Sequence, residues 1–105
     1  MTSIVPETFE LPRGWYRPDA TRAEVFHAEL QRELPPGHLL YHVPVETFAH
    51  LDCTDDVLFR HHRDRERFTL VHLTRLGRTE IDEHHPAVEF DGSFTDFLAY
   101  YEELQ

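Results

Sequence analysis

The chain has 105 residues, of which 40% are hydrophobic and 29% charged, and its formal charge at neutral pH is −10. That length holds one hydrophobic core and the composition suffices to bury it without a metal or disulfide, which excludes a disordered chain and a two-domain one. The acidity argues against nucleic acid as a partner, because phosphate contact needs a cationic face, and no apolar run approaches the roughly 20 residues of a membrane span.

The first 18 residues carry Pro6, Pro12, Gly14 and Pro18 and read as an extended arm on a single compact domain over 19–105. Trp15 and Tyr16 are expected to pin that arm to the domain. No basic stretch leading into an apolar one marks a signal peptide, and the lone Cys53 allows no internal disulfide, so a cytoplasmic location is expected. A helix is predicted from Ala20 to Leu34. Thr21 with Glu24 fits a capping box, Asp19 is a competing cap, and Ala23, Phe26, Leu30 and Leu34 form an apolar stripe. Pro35-Pro36-Gly37 stops it.

His38–Val43 and Thr47–Leu51 read as a strand, a kink at Pro44, and a second strand or short turn. Val57–His62 and Phe68–Thr74 flank a polar loop and predict a central hairpin. Setting His62 opposite Arg67 puts Phe59 against Leu70, Val57 against His72 and His61 against Phe68, on an apolar face that meets the helices. The other face, with Leu58, Val71, Arg60 and Thr69, is then half covered and offers a homodimer surface. A one-residue slip would exchange the two faces. Gly77 marks a turn, and an edge strand is expected at Glu80–Glu83 or Val88–Phe90. Ser93 with Asp96 opens a last helix whose stripe is Phe94, Phe97, Leu98, Tyr101 and Leu104. The predicted class is α+β: a small antiparallel sheet of three to five strands, central hairpin 57–74, packed with an N-terminal and a C-terminal helix.

All ten cations are arginine, and they are unevenly placed: residues 1–59 carry −6, residues 60–78 carry +4 and residues 79–105 carry −8. The Arg60–Arg67 hairpin could meet a carboxylate or phosphate, but Asp64 and Glu66 interrupt it, and a solvated turn is the simpler reading. Nine histidines would move the charge from −10 to −1 if all were protonated. His61-His62 and His84-His85 are candidate metal ligands, with Asp52, Asp55, Asp56, Asp82 and Glu83 available to complete a shell. Adjacent strand residues point to opposite faces, so each pair gives one ligand easily; their spacing matches no zinc motif and fits solvated loop histidines.

His72 lies among Leu70, Val71 and Leu73, which predicts burial, and Asp55 or Asp56 on the adjacent strand could hold its donor nitrogen. His72, Asp55 and Asp56 are therefore the candidate catalytic residues, although no nucleophile accompanies them: Cys53 marks no exposed elbow, and Thr54, Thr69 and Thr74 are ordinary strand or turn residues. The four glycines stand singly at 14, 37, 77 and 92, so no phosphate loop exists and no cofactor is implied.

Gly37-His38-Leu39-Leu40-Tyr41, Asp55-Asp56-Val57-Leu58-Phe59, Val71-His72-Leu73-Thr74 and Phe90-Asp91-Gly92-Ser93-Phe94 together resemble a family of small bacterial proteins. That family reads as an ElxxGHxL segment, a DDVLF strand, a VHLTW strand and a closing aromatic segment. The resemblance covers about 30–97 and implies a compact domain without an assigned mechanism. Arg75 stands where the family tends to have tryptophan. The acidity, the small size and the lack of a catalytic set point to a non-enzymatic protein-interaction module, of immunity or accessory type, binding a basic partner. The alternative is a small metal-dependent or His/Asp hydrolase centred on His72.

Overall fold

The computed structural model describes residues 5–75, 78–80 and 82–103. Five antiparallel strands lie side by side in chain order: β1 (Trp15–Tyr16), β2 (Val45–Leu51), β3 (Asp56–His61), β4 (Phe68–His72) and β5 (Ala87–Gly92). Helix α1 (Ala20–Glu33) follows β1, and α2 (Phe94–Glu103) follows β5. The α+β class and both helices are as the patterning predicts. The arm is tied down as its first strand, Trp15 opposite Leu51, and Trp15 is buried.

Asp19, not Thr21, caps α1, accepting from the Arg22 N–H at 2.8 Å. Ser93 Oγ accepts from the Asp96 N–H at 3.1 Å and so opens α2. The first predicted strand, His38–Val43, is instead a run of turns. Gly37 begins it at φ +92, a conformation that glycine adopts without strain. His38 then holds the run: its Nδ1 accepts from the Leu40 N–H at 3.0 Å, which assigns the proton to Nε2, and Nε2 donates to the Pro86 carbonyl at 2.7 Å. Two bonds from one buried ring satisfy the backbone where a ladder would have done so.

The central hairpin forms, but its register is shifted by one residue from the predicted alignment. The loop closes on the His61 N–H donating to Arg67 O at 3.0 Å, so Leu58 faces Leu70, Val57 faces Val71 and Asp56 faces His72. The reason is that the helices pack on opposite faces rather than on one. Val57, Phe59, Val71 and Leu73 meet Phe26, Leu30 and Leu34 of the α1 segment. Leu58, Phe68 and Leu70 meet Phe94 and Phe97 of α2. The observed register gives each helix a large aromatic and several aliphatic side chains, each contributing about 1.5–3 kcal/mol on burial, whereas the predicted one leaves one face poor. Leu58 and Val71 are thus buried on opposite faces, and the half-covered face that suggested a homodimer does not exist.

Two β-bulges adjust the alternation. In β2 the register shifts between Thr47 and Ala49, and Phe48 joins the α2 side against Phe68 at a ring separation of 5.0 Å. Opposite the Leu70–Val71 step, β5 carries one extra residue, Glu89, between Val88 and Phe90. Gly77, Leu104 and part of the predicted 80–83 strand lie outside the described residues; the edge strand is 87–92.

Glu33 is the least expected core residue. It is fully buried on α1, and its two carboxyl oxygens accept the N–H groups of Thr74 and Arg75 at 2.8 and 2.9 Å. Arg75 sits at φ +62, a left-handed conformation costing a non-glycine residue roughly 1–2 kcal/mol, so the carboxyl offsets local strain as it steers the chain out of β4. Burial, followed by the neighbouring Glu29 carboxyl, pushes the Glu33 acid up from 4.5 to about 7. Because the folded protein holds this proton more tightly than the unfolded chain, the contribution is fully present below the ordinary carboxyl value and is lost as pH rises through about 7. Glu33→Ala removes the acceptor of two part-buried amides, at up to about 1–3 kcal/mol each. Urea unfolding should find the variant destabilised, more at about pH 5 than at about pH 8, where the wild type already bears a buried charge. A loss that grows with pH would contradict this.

Candidate functional site

The β3–β4 register and the β5 bulge act together at one end of the sheet, beside the β2–β3 turn. Asp56 is the first residue of β3 and His72 the last of β4, and their side chains leave the same face, joined by Nδ1–Oδ1 at 2.7 Å. Strict alternation from Phe90, which packs on the α2 side, would send Glu89 to the other face. The bulge instead turns it toward this pair, and one ligand atom each of Asp56, His72 and Glu89 lies within 4.8 Å of the others. Tyr100, one turn beyond Phe97 on α2 and in ring contact with Phe90 at 5.3 Å, stands by: burial and then the charges of Glu89 and Asp56 raise its phenol.

Asp56 is the shared acceptor. Its hydrogen bond with Glu89, aided by burial, pushes the Glu89 acid up from 4.5 to about 7. Hydrogen bonding to Asp56 also raises His72 above its ordinary 6.5 against a smaller opposing effect of burial.

The His72 side chain is 52% exposed, which overturns the expected burial. The cause is the register: at the end of β4 it follows Leu70 on the α2 face but lies beyond the helix's apolar cover, while Leu73 takes the buried place on the α1 side. The tether to an acid is present; the oily surroundings are not. Asp55 does not join the pair. Its carbonyl accepts from the Leu73 N–H at 2.9 Å and its carboxylate lies 3.8 Å from Arg75.

The other histidines are dispersed. His61 is buried, with Nε2 2.8 Å from Thr69 Oγ1, whose hydroxyl donates to Asp91, and Arg67 grips Asp91 in turn. His62 is exposed in the hairpin loop. His84 and His85 are exposed before β5, 4.0 Å from Glu83 and 3.8 Å from Asp82 respectively. Sequence reasoning missed Glu89 altogether. A bulge leaves no composition signal in Ala87-Val88-Glu89-Phe90, and only the misfit between this strand's alternation and its neighbour's would have flagged it.

Chemically, Asp56 and His72 form an acid–imidazole dyad, the supporting half of a nucleophilic triad. Among the described residues no hydroxyl or thiol is bonded to the outer nitrogen of His72. Thr54 Oγ1 is engaged by Leu51 O and the Asp56 N–H, Thr69 is fully buried, and Cys53 is exposed on the turn. A hollow of about 410 Å³ between arm and α2 is lined by Phe9, Pro12, Leu98 and Tyr101, and another of about 340 Å³ by His38, Glu83, His84 and Val88. Neither contains the cluster. Comparison of the chain with protein-family models, with curated proteins and with solved structures found no match.

Asp56→Asn tests the electrostatics. Histidine-resolved NMR titration should find His72 titrating above the ordinary value in the wild type and falling back toward 6.5 in the variant, with Glu89 falling toward 4.5. An unchanged His72 titration would show that Asp56 does not hold the ring. Because its folded pKa is raised, the stability His72 contributes is present below 6.5 and lost as pH climbs through the raised value.

Proposed function

We propose that the protein is a non-enzymatic interaction module, of immunity or accessory type, whose acidic surface docks a basic protein partner. What supports this is how the arginines are used. Arg32, Arg60, Arg65, Arg67 and Arg75 pair with Glu29, Glu7, Glu46, Asp91 and Asp55, and Arg17 donates to the carbonyls of Pro6 and Phe9. With those cations committed internally, most of the formal excess of acids over arginines, apart from the buried Glu29 and Glu33, lies at the surface. It is dense at the β2–β3 turn end, where Asp52, Asp55, Asp56 and Glu89 gather and Asp82 and Glu83 lie in the segment entering β5. Such a field speeds encounter with a basic surface and weakens with salt.

A second reading, a small metal-dependent or His/Asp hydrolase centred on His72, draws on the Asp56–His72–Glu89 cluster, but among the described residues no hydroxyl or thiol is bonded to the His72 ring as a nucleophile, which favours docking.

The test uses chelator-treated protein so that no metal intervenes. A partner is captured from the native host extract at low salt, purified, and its association rate measured against ionic strength. Neutralising Asp52, Asp55 and Glu83 to the amides should slow association by roughly an order of magnitude at low salt and much less at high salt. No partner at either low or moderate salt, or one indifferent to both salt and variant, would contradict the reading.

A further inference from the structure

We propose that Asp56, His72 and Glu89 form a site for a first-row divalent transition metal of the Zn²⁺ or Mn²⁺ class, held by one imidazole and two carboxylates with further positions open to water. Each ligand comes from a different strand, so the set is positioned by the sheet rather than by a loop. The register puts Asp56 directly opposite His72, and the bulge brings Glu89 to the same face.

The distances suit an ion. Metal–ligand bonds of about 2.0–2.2 Å place neighbouring donors roughly 3–3.5 Å apart. The three donors already lie within 4.8 Å of one another, and the Asp56–His72 contact at 2.7 Å needs to open by less than about 1 Å. Glu89 is on an edge strand and exposed, so its carboxylate can swing inward without disturbing the core.

The partners of the two carboxylates make the same point by contrast. Asp91, two residues along the same strand, is held by Arg67, and Glu46 of β2 by Arg65. Among the described residues no arginine pairs with Asp56 or Glu89; the cation here is His72 alone, when protonated.

The donor types select the class of ion. An imidazole beside carboxylates suits zinc, manganese, iron or cobalt in the divalent state, whereas three donors including a nitrogen are too few for calcium, which takes six to eight oxygens. Three protein ligands leave a coordination position for water or for a donor from another molecule. The ion is measured alone, so this inference does not rest on docking: a failed metal titration leaves the salt-dependent association untouched, and the reverse also holds.

Chelator-stripped protein is titrated near neutral pH with Zn²⁺, Mn²⁺ and, as a spectroscopic probe, Co²⁺, by calorimetry and visible absorption. The expected result is saturable one-to-one binding tighter than millimolar, weakened more than tenfold by His72→Ala and by Glu89→Gln. The double variant His84→Ala/His85→Ala should bind as the wild type does, which separates the site from adventitious capture by surface histidines. Circular dichroism verifies that each variant is folded; were His72→Ala to fail, Glu89→Gln decides. Absence of saturable binding, binding that survives both cluster substitutions, or loss of binding in the His84/His85 variant would overturn the proposal.

Discussion

The register of a single hairpin governs this molecule. Placing Leu58 opposite Leu70 sends Val57, Phe59, Val71 and Leu73 to one helix and Leu58, Phe68 and Leu70 to the other. A shift of one residue would exchange those sets, leave one helix facing Arg60 and Thr69, and separate Asp56 from His72. Core and candidate site are thus consequences of one alignment, because side chains in a strand alternate with period two.

Buried polar groups then stabilise the irregular parts that this sheet requires. Glu33 holds the chain leaving β4, and His38 holds the turns before β2. His50 ties the β2–β3 turn to the arm, with Nδ1 2.7 Å from the Tyr16 hydroxyl and Nε2 2.7 Å from the Thr54 carbonyl. Each accounts for backbone or hydroxyl groups that would otherwise be buried without partners. Three of the nine histidines, His38, His50 and His61, are therefore buried structural groups, and the histidine-rich composition overstates the number exposed at the surface.

The sequence made the helices legible because caps and stripes are local signals: Asp19, the Phe26–Leu30 stripe, Ser93 and the Phe94–Phe97 pair each act within one or two turns. The strands were legible as apolar runs, but their alignment was not. Residues 57–59 and 70–71 are apolar at consecutive positions, as expected of strands covered on both sides, so alternation alone could not choose between two registers. Reading both helices onto one face selected the wrong one, and with it the buried His72. Asp56 and His72 are legible together as candidates from their adjacent strands, whereas Glu89 depends on a bulge that no local pattern announces. Of the motif segments, Gly37-His38 proves architectural, while Asp56 and His72 meet at the exposed cluster.

The hairpin alignment can be read directly from proton–proton contacts. His61 donates to Arg67 O and Leu73 to Asp55 O, so the pairs between them that lack mutual hydrogen bonds are Arg60–Phe68, Leu58–Leu70 and Asp56–His72, which bring their α-carbons closest. A nuclear Overhauser spectrum of the protein should contain strong Hα–Hα cross-peaks for these three pairs. Cross-peaks linking Phe59 with Leu70 and Val57 with His72 in their place would mean the other register, and would dissolve both the two-faced core and the Asp56–His72–Glu89 cluster.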